Sequence, residues 1–477
     1  MKKKLIQLEF RKIFPYKNLN KMNFFKNPIC MFAATTAIFV TSSNLNAGTF
    51  KTYQEDSDQF RQTLNQSDDS HLIQKFIDNA GKKDGALYLL EQARIQQVNQ
   101  NYEASLETYK KAFELIDKQK QRAKVSASRV GFQALSMLSN DSVVPYIVPP
   151  YEQVLAHISQ AKNYIYIKDM QAASVEMRIA QQLQREIELD HEQELAKKTE
   201  KEKKKNQDED APTPTQLNEA LAGLDPIAGK IKNTYQNSYA FYMAASLWEV
   251  LGEYNDALVD YKKAYELQPE PQIASDIQRV DQLNTKKSKN SVPVIIFIEQ
   301  GVVPQKVENK LVIPGPNGLL NIAFATYEPR TYQTPQPTQI LLNNKKIQNS
   351  YILNDIGALA VKQLKEQTAA TVTRQIIRTT TKYVAQKELG NQLGALGQLA
   401  GNLMNTATDH ADLRSWSTLP SNTQIARLNL APGKYQLQLA SAGKHSTPLT
   451  VEAVANQTTF VYAYDVNDKI SVSSSLF

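Results

Sequence analysis

Ser238–Pro269, SYAFYMAASLWEVLGEYNDALVDYKKAYELQP, is the stretch on which the reading of the fold turns. It predicts two short helices folded back on each other, with a turn at Leu251-Gly252-Glu253. Small residues stand where the helices must nearly touch, Ala244 and Ala245 on the first and Ala257 and Ala264 on the second. Phe241, Trp248, Tyr254 and Tyr261 fill the space around those contacts. Pro269 ends the second helix because its ring blocks continuation. One such hairpin cannot bury its own apolar face, so others are expected to stack on it.

Working outward, Ala86–Asp117 repeats the pattern: its YKKAFEL matches the later YKKAYEL at a shift of 152 residues, Tyr109 on Tyr261 and Ala112 on Ala264. A third copy lies at Val154–Arg185, with Ala161, Tyr164, Ala173 and Ala180 in the small and large positions and its turn at Lys168-Asp169-Met170. Ala112 and Ala180 are 68 residues apart, two periods of a 34-residue repeat. Val143–Pro150, VVPYIVPP, breaks the pattern, and its prolines predict an irregular, packed connection. The charge-dense run over about 190–215 reads as a helix extension passing into a solvated loop.

After Thr285–Asn290, TKKSKN, the periodicity changes. Pro293–Glu299, Lys306–Ile313, Leu319–Thr326 and Thr338–Leu342 are short apolar or alternating runs parted by Gly, Pro and Asn, which is strand grammar. Gln424–Leu430, Lys434–Ala440, Leu449–Ala453 and Thr458–Val466 continue it. Ala431-Pro432-Gly433 reads as a tight hairpin with Tyr435, Leu437 and Leu439 alternating on one face. Between the two groups lies a helical insertion over about 354–408, with Asn354 as a cap candidate. Within it Leu389–Thr408 is uncharged and carries four glycines; packing on the sheet is the favoured reading, peripheral membrane contact the alternative. The fold class expected is therefore α+β and multidomain. An N-terminal α-helical array over 48–284 precedes a small antiparallel β-sandwich over 293–477 with its helical insertion.

The chain has 477 residues and a formal charge of +7. Residues 1–47 hold eight Lys and Arg against Glu9, so the remainder carries 47 basic and 47 acidic residues. A nucleic-acid partner is therefore not expected. The Lys-rich start followed by the apolar run Ile29–Val40 and by Ala47 predicts a signal peptide over 1–47, and hence export to the periplasm. Cys30, the single cysteine, falls inside it, which removes disulfides and Cys-bound zinc from a processed chain.

The spacing in Ser238–Pro269 resembles the tetratricopeptide (TPR) repeat, departing from it at Ala244 and Ala245, where Leu and Gly are usual. The blocks Pro150–Leu183, Val292–Lys306 and Ala411–Leu439 resemble, in this order, a poorly characterised bacterial family of TPR-containing cell-envelope proteins, many of them lipoproteins. The resemblance covers most of residues 80–465. It implies an envelope location, with outer-membrane association among the members, and a non-enzymatic scaffold role. Asn27-Pro28-Ile29 before Cys30 does not make a lipoprotein-processing box.

The five histidines are scattered, and neither a nucleophile elbow nor a phosphate loop is present, so no catalytic, cofactor or metal residue is assigned. In TPR-type hairpins the inner face of the first helices receives a segment of a protein partner. Here that face maps to Arg94, Gln97, Lys162, Tyr166, Tyr239, Tyr242, Met243 and Glu249, aromatic anchors mixed with charges. The alternative is that the groove is filled by this chain's own segments. Asp412, Arg414 and Trp416 form the densest polar constellation. They read as a structural Asp–Arg pair over a packed indole, with an acid–base site of a glycan hydrolase as the alternative. The function expected is a non-catalytic adaptor or scaffold of the Gram-negative envelope. The alternatives are an envelope glycan hydrolase and a membrane-contacting structural protein. The sequence does not set the oligomeric state.

Overall fold

The computed structural model describes residues 53–66, 68–127, 145–204, 215–283, 292–315, 318–369, 371, 372, 376 and 410–477. The leader read at 1–47 and the stretch Leu389–Thr408 lie outside them. The helical half opens with α1 (53–63) and α2 (Ser70–Ala80). Three antiparallel hairpins follow: α3 (Gly85–Val98) with α4 (Tyr102–Ala127), α5 (Pro150–Tyr166) with α6 (Met170–Lys204), and α9 (Ser238–Leu251) with α10 (Tyr254–Leu267). Short α7 (Thr215–Leu221) and α8 (Asp225–Ala228) precede the third hairpin, and α11 (Pro271–Leu283) closes the array. Helix α4 packs on α5, α6 on α9, and α10 on α11, so the hairpins stack in chain order. Ala112, Ala161, Ala173, Ala244, Ala245, Ala257 and Ala264 are all fully buried where helices meet.

One local device makes all three turns. Gln100, Lys168 and Gly252 adopt left-handed backbone (φ 66°, 65° and 75°). The next amide in each case, of Asn101, Asp169 and Glu253, donates to a carbonyl five residues back at 2.8–2.9 Å. This is the Schellman closure of a helix C-terminus, which glycine favours and the first two hairpins achieve without it. Residues 145–149 between hairpins one and two are extended, with Tyr146 and Val148 buried, as the prolines demand.

The β half contains two sheets and a separate hairpin. The first sheet has the order β12-β11-β1-β7-β6 and the second β10-β8-β4-β5, with β9 beside β8. Their ranges are β1 (Val292–Gln300), β4 (Gln339–Leu342), β5 (Lys345–Asn349), β6 (Tyr351–Asp355), β7 (Asn422–Leu430), β8 (Gly433–Ser441), β9 (Lys444–His445), β10 (Leu449–Ala453), β11 (Thr459–Val466) and β12 (Lys469–Leu476). The hairpin is β2 (Lys306–Gly315) with β3 (Gly318–Tyr327). Helix α12 (356–369), the described part of the insertion, is capped by the Asp355 carboxylate, which accepts from the Ala358 amide at 2.8 Å; the cap is not Asn354.

Two strand expectations are corrected. The first sheet is mixed, because β1 pairs β11 in parallel. Ala431-Pro432-Gly433 does not close a hairpin: β7 pairs β1 and β6, whereas β8 pairs β4 and β10. The turn instead carries the chain from one sheet to the other. Alternation along β1 then divides its side chains. Val294, Ile296 and Ile298 join Ile340, Leu437 and Leu439 in the core between the sheets. Ile295, Phe297 and Glu299 face the other way, into the helical array.

Candidate functional site

The inner face of the array is where sequence reasoning placed a partner, and the chain's own sheet lies against it. At its centre is Glu299, the one charged residue of β1. Arg94 from α3 forms an ion pair with it at 2.5 Å, and Lys162 from α5 forms a second, shorter one. Both cations also lie over the Tyr464 ring of β11, at 5.3 and 5.6 Å. All three ionised side chains are almost wholly removed from solvent. Burial opposes the charge of Glu299, but Arg94 and Lys162 outweigh it and hold the carboxyl below its usual range. Beside this cluster Tyr239 and Tyr242 of α9 meet the Phe297 ring edge-on, at 5.9 and 6.5 Å.

A second knot joins the third hairpin to β7. Arg427 pairs with Glu249 at 3.0 Å and with Asp276 at 3.4 Å, and Arg279 of α11 pairs with the same two carboxylates at 2.7 and 3.0 Å. Tyr242 and Tyr261 donate to Asp276 and Glu249 at 2.7 and 2.5 Å. Burial works against Glu249, yet Arg427 and Arg279 bring its carboxyl down to about 2.

The third contact grips residues 411–421, a stretch without helix or strand that turns at Ser417 and Thr418. Glu91 of α3 accepts the Ser417 amide (2.6 Å), the Thr418 amide (3.2 Å) and both hydroxyls (2.8 and 2.5 Å). Tyr53 donates to the Ser415 carbonyl at 2.6 Å and Lys306 to the Arg414 carbonyl at 2.9 Å. Glu152 of α5 accepts from the Trp416 amide at 3.3 Å and from the Tyr146 and Tyr151 hydroxyls at 2.8 and 3.1 Å. Trp416 is fully buried, edge-on to Tyr109 at 6.2 Å, and its indole N–H donates to the Thr418 hydroxyl. Arg414 pairs with Asp412 at 2.6 Å and, across the halves, with Asp84 at 2.5 Å.

Burial pushes the Glu152 carboxyl up to about 7, with the Tyr146 bond opposing. A carboxyl that binds its proton more tightly folded than unfolded makes folding take up a proton between its ordinary value of 4.5 and 7. Its contribution therefore falls as pH rises through that window. Glu249 acts oppositely and lower: its contribution is present above 4.5 and is lost as pH falls toward 2. Urea titrations across pH 4.5–7 are expected to show a shallower decline of stability in Glu152→Gln than in the parent chain. Parallel declines would contradict a strained buried carboxyl.

The structure therefore brings together seven of the eight residues mapped to the partner face and covers them. Arg94, Gln97, Lys162, Tyr239, Tyr242 and Met243 are buried, and Glu249 is bound into the Arg427 knot. Tyr166, half-buried at the edge, stacks on Tyr102 at 3.7 Å. The face assigned to a partner is occupied by the chain's own sheet, because inward residues of β1, β7 and β11 complement its charges and rings. Asp412, Arg414 and Trp416 do pair and pack, and Arg414 also ties 411–421 to the helical half at Asp84. With both Asp412 oxygens engaged by Arg414 at 2.8 and 2.6 Å, that carboxylate is not placed as a general acid. Among the described residues no group of three or more His, Cys, Asp or Glu side chains could hold a metal. No helix among them is long and apolar enough to cross a membrane.

Sequence reasoning missed Glu91, Glu152, Glu299 and Arg427. A signal existed for the first cluster: Arg94 and Lys162 are 68 residues apart, two 34-residue periods, and so hold the same place on the first helices of the first two hairpins. No family model matches this chain, and no curated protein matches it. Among solved structures it is similar to the TPR2AB-domain:pHSP90 complex of yeast Sti1, at 14% identity over 52% of this chain and 84% of that one, with a TM-score of 0.18.

Proposed function

We propose that this chain is a non-catalytic protein-binding adaptor or scaffold of the Gram-negative cell envelope, exported to the periplasm. The observation that carries the reading is the grip on residues 411–421. Helices α1, α3 and α5 hold an irregular, turning stretch of polypeptide through three of its amides and a carbonyl, with one tryptophan as anchor. That is peptide-recognition chemistry, used here within one chain. A TPR-like character of the array and a sandwich arrangement of the two sheets belong to the same reading, supported by the hairpin stacking and by the shared core between the sheets. The exported location rests on the Lys-rich and apolar start of the sequence. Because the inner face is filled in cis, a partner is expected on the surfaces that the sheet leaves open.

Affinity isolation of the full chain after crosslinking in intact cells is the test. The expected result is stoichiometric enrichment of a periplasmic or outer-membrane protein. Recovery of cytoplasmic proteins alone would overturn both the address and the adaptor role.

A further inference from the structure

The edge of a sheet is a row of unpaired amides and carbonyls that can pair with another chain, and charge, bulges or shortness normally blunt it. Three of the four edges of the two sheets are blunted in this way. Strand β5 carries exposed Lys345 and Lys346 and is paired across a bulge at Ile340 and Leu341. Strand β6 has five residues, is bulged between Ile352 and Asn354, and ends on Asp355. Strand β10 has five residues, with Glu452 exposed. The fourth edge, β12, is different. It runs for eight residues in unbroken register with β11, and after Lys469 it holds no charge and no proline.

The bonds to β11 decide which of its main-chain groups are free. Thr458 and Phe477 exchange both of theirs, amide to carbonyl, at 2.8 and 2.9 Å. In an antiparallel ladder such doubly bonded pairs recur at every second residue. Ser471, Ser473 and Ser475 are therefore bonded to β11, and Val472, Ser474 and Leu476 turn their amides and carbonyls outward. Among the described residues nothing bonds to these outward groups. The start of the strand is flanked: Lys444 of β9 pairs with Asp465 and donates to the Asn467 carbonyl at 3.1 Å. The free edge is thus Val472–Leu476.

An antiparallel copy of the same segment matches it. With Ser474 opposite the second copy's Ser474, Val472 lies opposite Leu476 and Ser473 opposite Ser475. Apolar then meets apolar on the face that carries Ile470 and Val472 toward the inter-sheet core, and serine meets serine on the other. Three doubly bonded pairs use every outward amide and carbonyl of the segment on both copies. A shift of two residues in either direction sets Ser474 against Val472 or Leu476 instead. We propose that two copies of this chain associate through β12, antiparallel about a two-fold axis at Ser474, joining their first sheets into one. The pairing holds whether or not the chain is an adaptor.

Sedimentation equilibrium of the full chain is the test, under reducing conditions so that Cys30 cannot link copies. A monomer–dimer equilibrium is expected. Ser474→Pro removes an outward amide without touching a bond to β11, and takes two hydrogen bonds from the symmetric pair. It is expected to raise the dimer dissociation constant roughly tenfold or more. Ser474→Lys and Ser474→Glu each oppose like charges at the axis, so each chain alone is expected to be monomeric and the two to dimerise when mixed. A variant that merely failed to fold would not be rescued by mixing. Hydrogen exchange reads the register: the amides of Val472, Ser474 and Leu476 gain protection as the dimer forms, and those of Ser471, Ser473 and Ser475 do not. A parent chain that stays monomeric overturns the proposal, even if the edge takes a strand from another protein. So does a dimer indifferent to Ser474→Pro, or Lys and Glu chains that do not pair with each other.

Discussion

Glu299→Gln is expected to destabilise the chain by about 3–5 kcal/mol, the range for breaking a buried ion pair by removing one partner. The substitution keeps the shape of the side chain, so packing is not the cause. It leaves Arg94 and Lys162, both nearly without solvent, facing an amide that cannot neutralise them. Attraction to Tyr464 offsets only part of that. Replacing the triad together, as Glu299→Leu with Arg94→Met and Lys162→Met, removes the charges along with their desolvation cost and is expected to recover most of the loss. Urea unfolding of the three chains reads this directly. A Glu299→Gln chain as stable as the parent would mean that the pairs are solvated and that the sheet does not seal the array.

Glu91→Ala is expected to cost a similar amount by a different route. Its carboxylate meets five donors: the amides of Ser417 and Thr418, their hydroxyls, and Tyr53. Burial raises its affinity for a proton, against the Thr418 and Ser417 bonds that favour the charged form. Hydroxyls can turn to new acceptors, but the two amides cannot, and each buried orphan costs about 1–3 kcal/mol. Glu91→Gln, which retains one acceptor oxygen, is expected to fall between. Hydrogen exchange supplies the readout specific to this role. The Ser417 and Thr418 amides lose protection in Glu91→Ala before the strand amides of β1 do. Loss spread evenly over the sheet would point to general loosening instead.

Much of the helical half was legible, because alanine against aromatic at fixed spacing is a local statement about how closely two helices approach. The Gly252 turn is equally local. Strands β1 to β4 were legible as apolar runs. The end strand β12 was not, since Ser471, Ser473 and Ser475 alternate with Ile470 and Val472 and read as polar, although all three serines are buried. The clues were the turns: left-handed Asn467 joins β11 to β12, and left-handed Asn343 and Asn344 join β4 to β5. The occupant of the inner face was out of reach for a different reason. Its contacts join residues as far apart as Glu91 and Thr418, or Glu249 and Arg427, and a charged residue taken singly reads as solvated. Only the complementarity of distant charges reveals that they are buried together.

The central claim is that the array's inner face is closed by the sheet of the same chain. Covalent footprinting of tyrosines on the native full chain tests it most directly. Tyr239, Tyr242, Tyr462 and Tyr464, at 0–2% exposure, are expected to stay unmodified while Tyr265, at 39%, reacts. All five should react in denaturant. Modification of Tyr239 and Tyr242 at the rate of Tyr265 in the native chain would contradict the account.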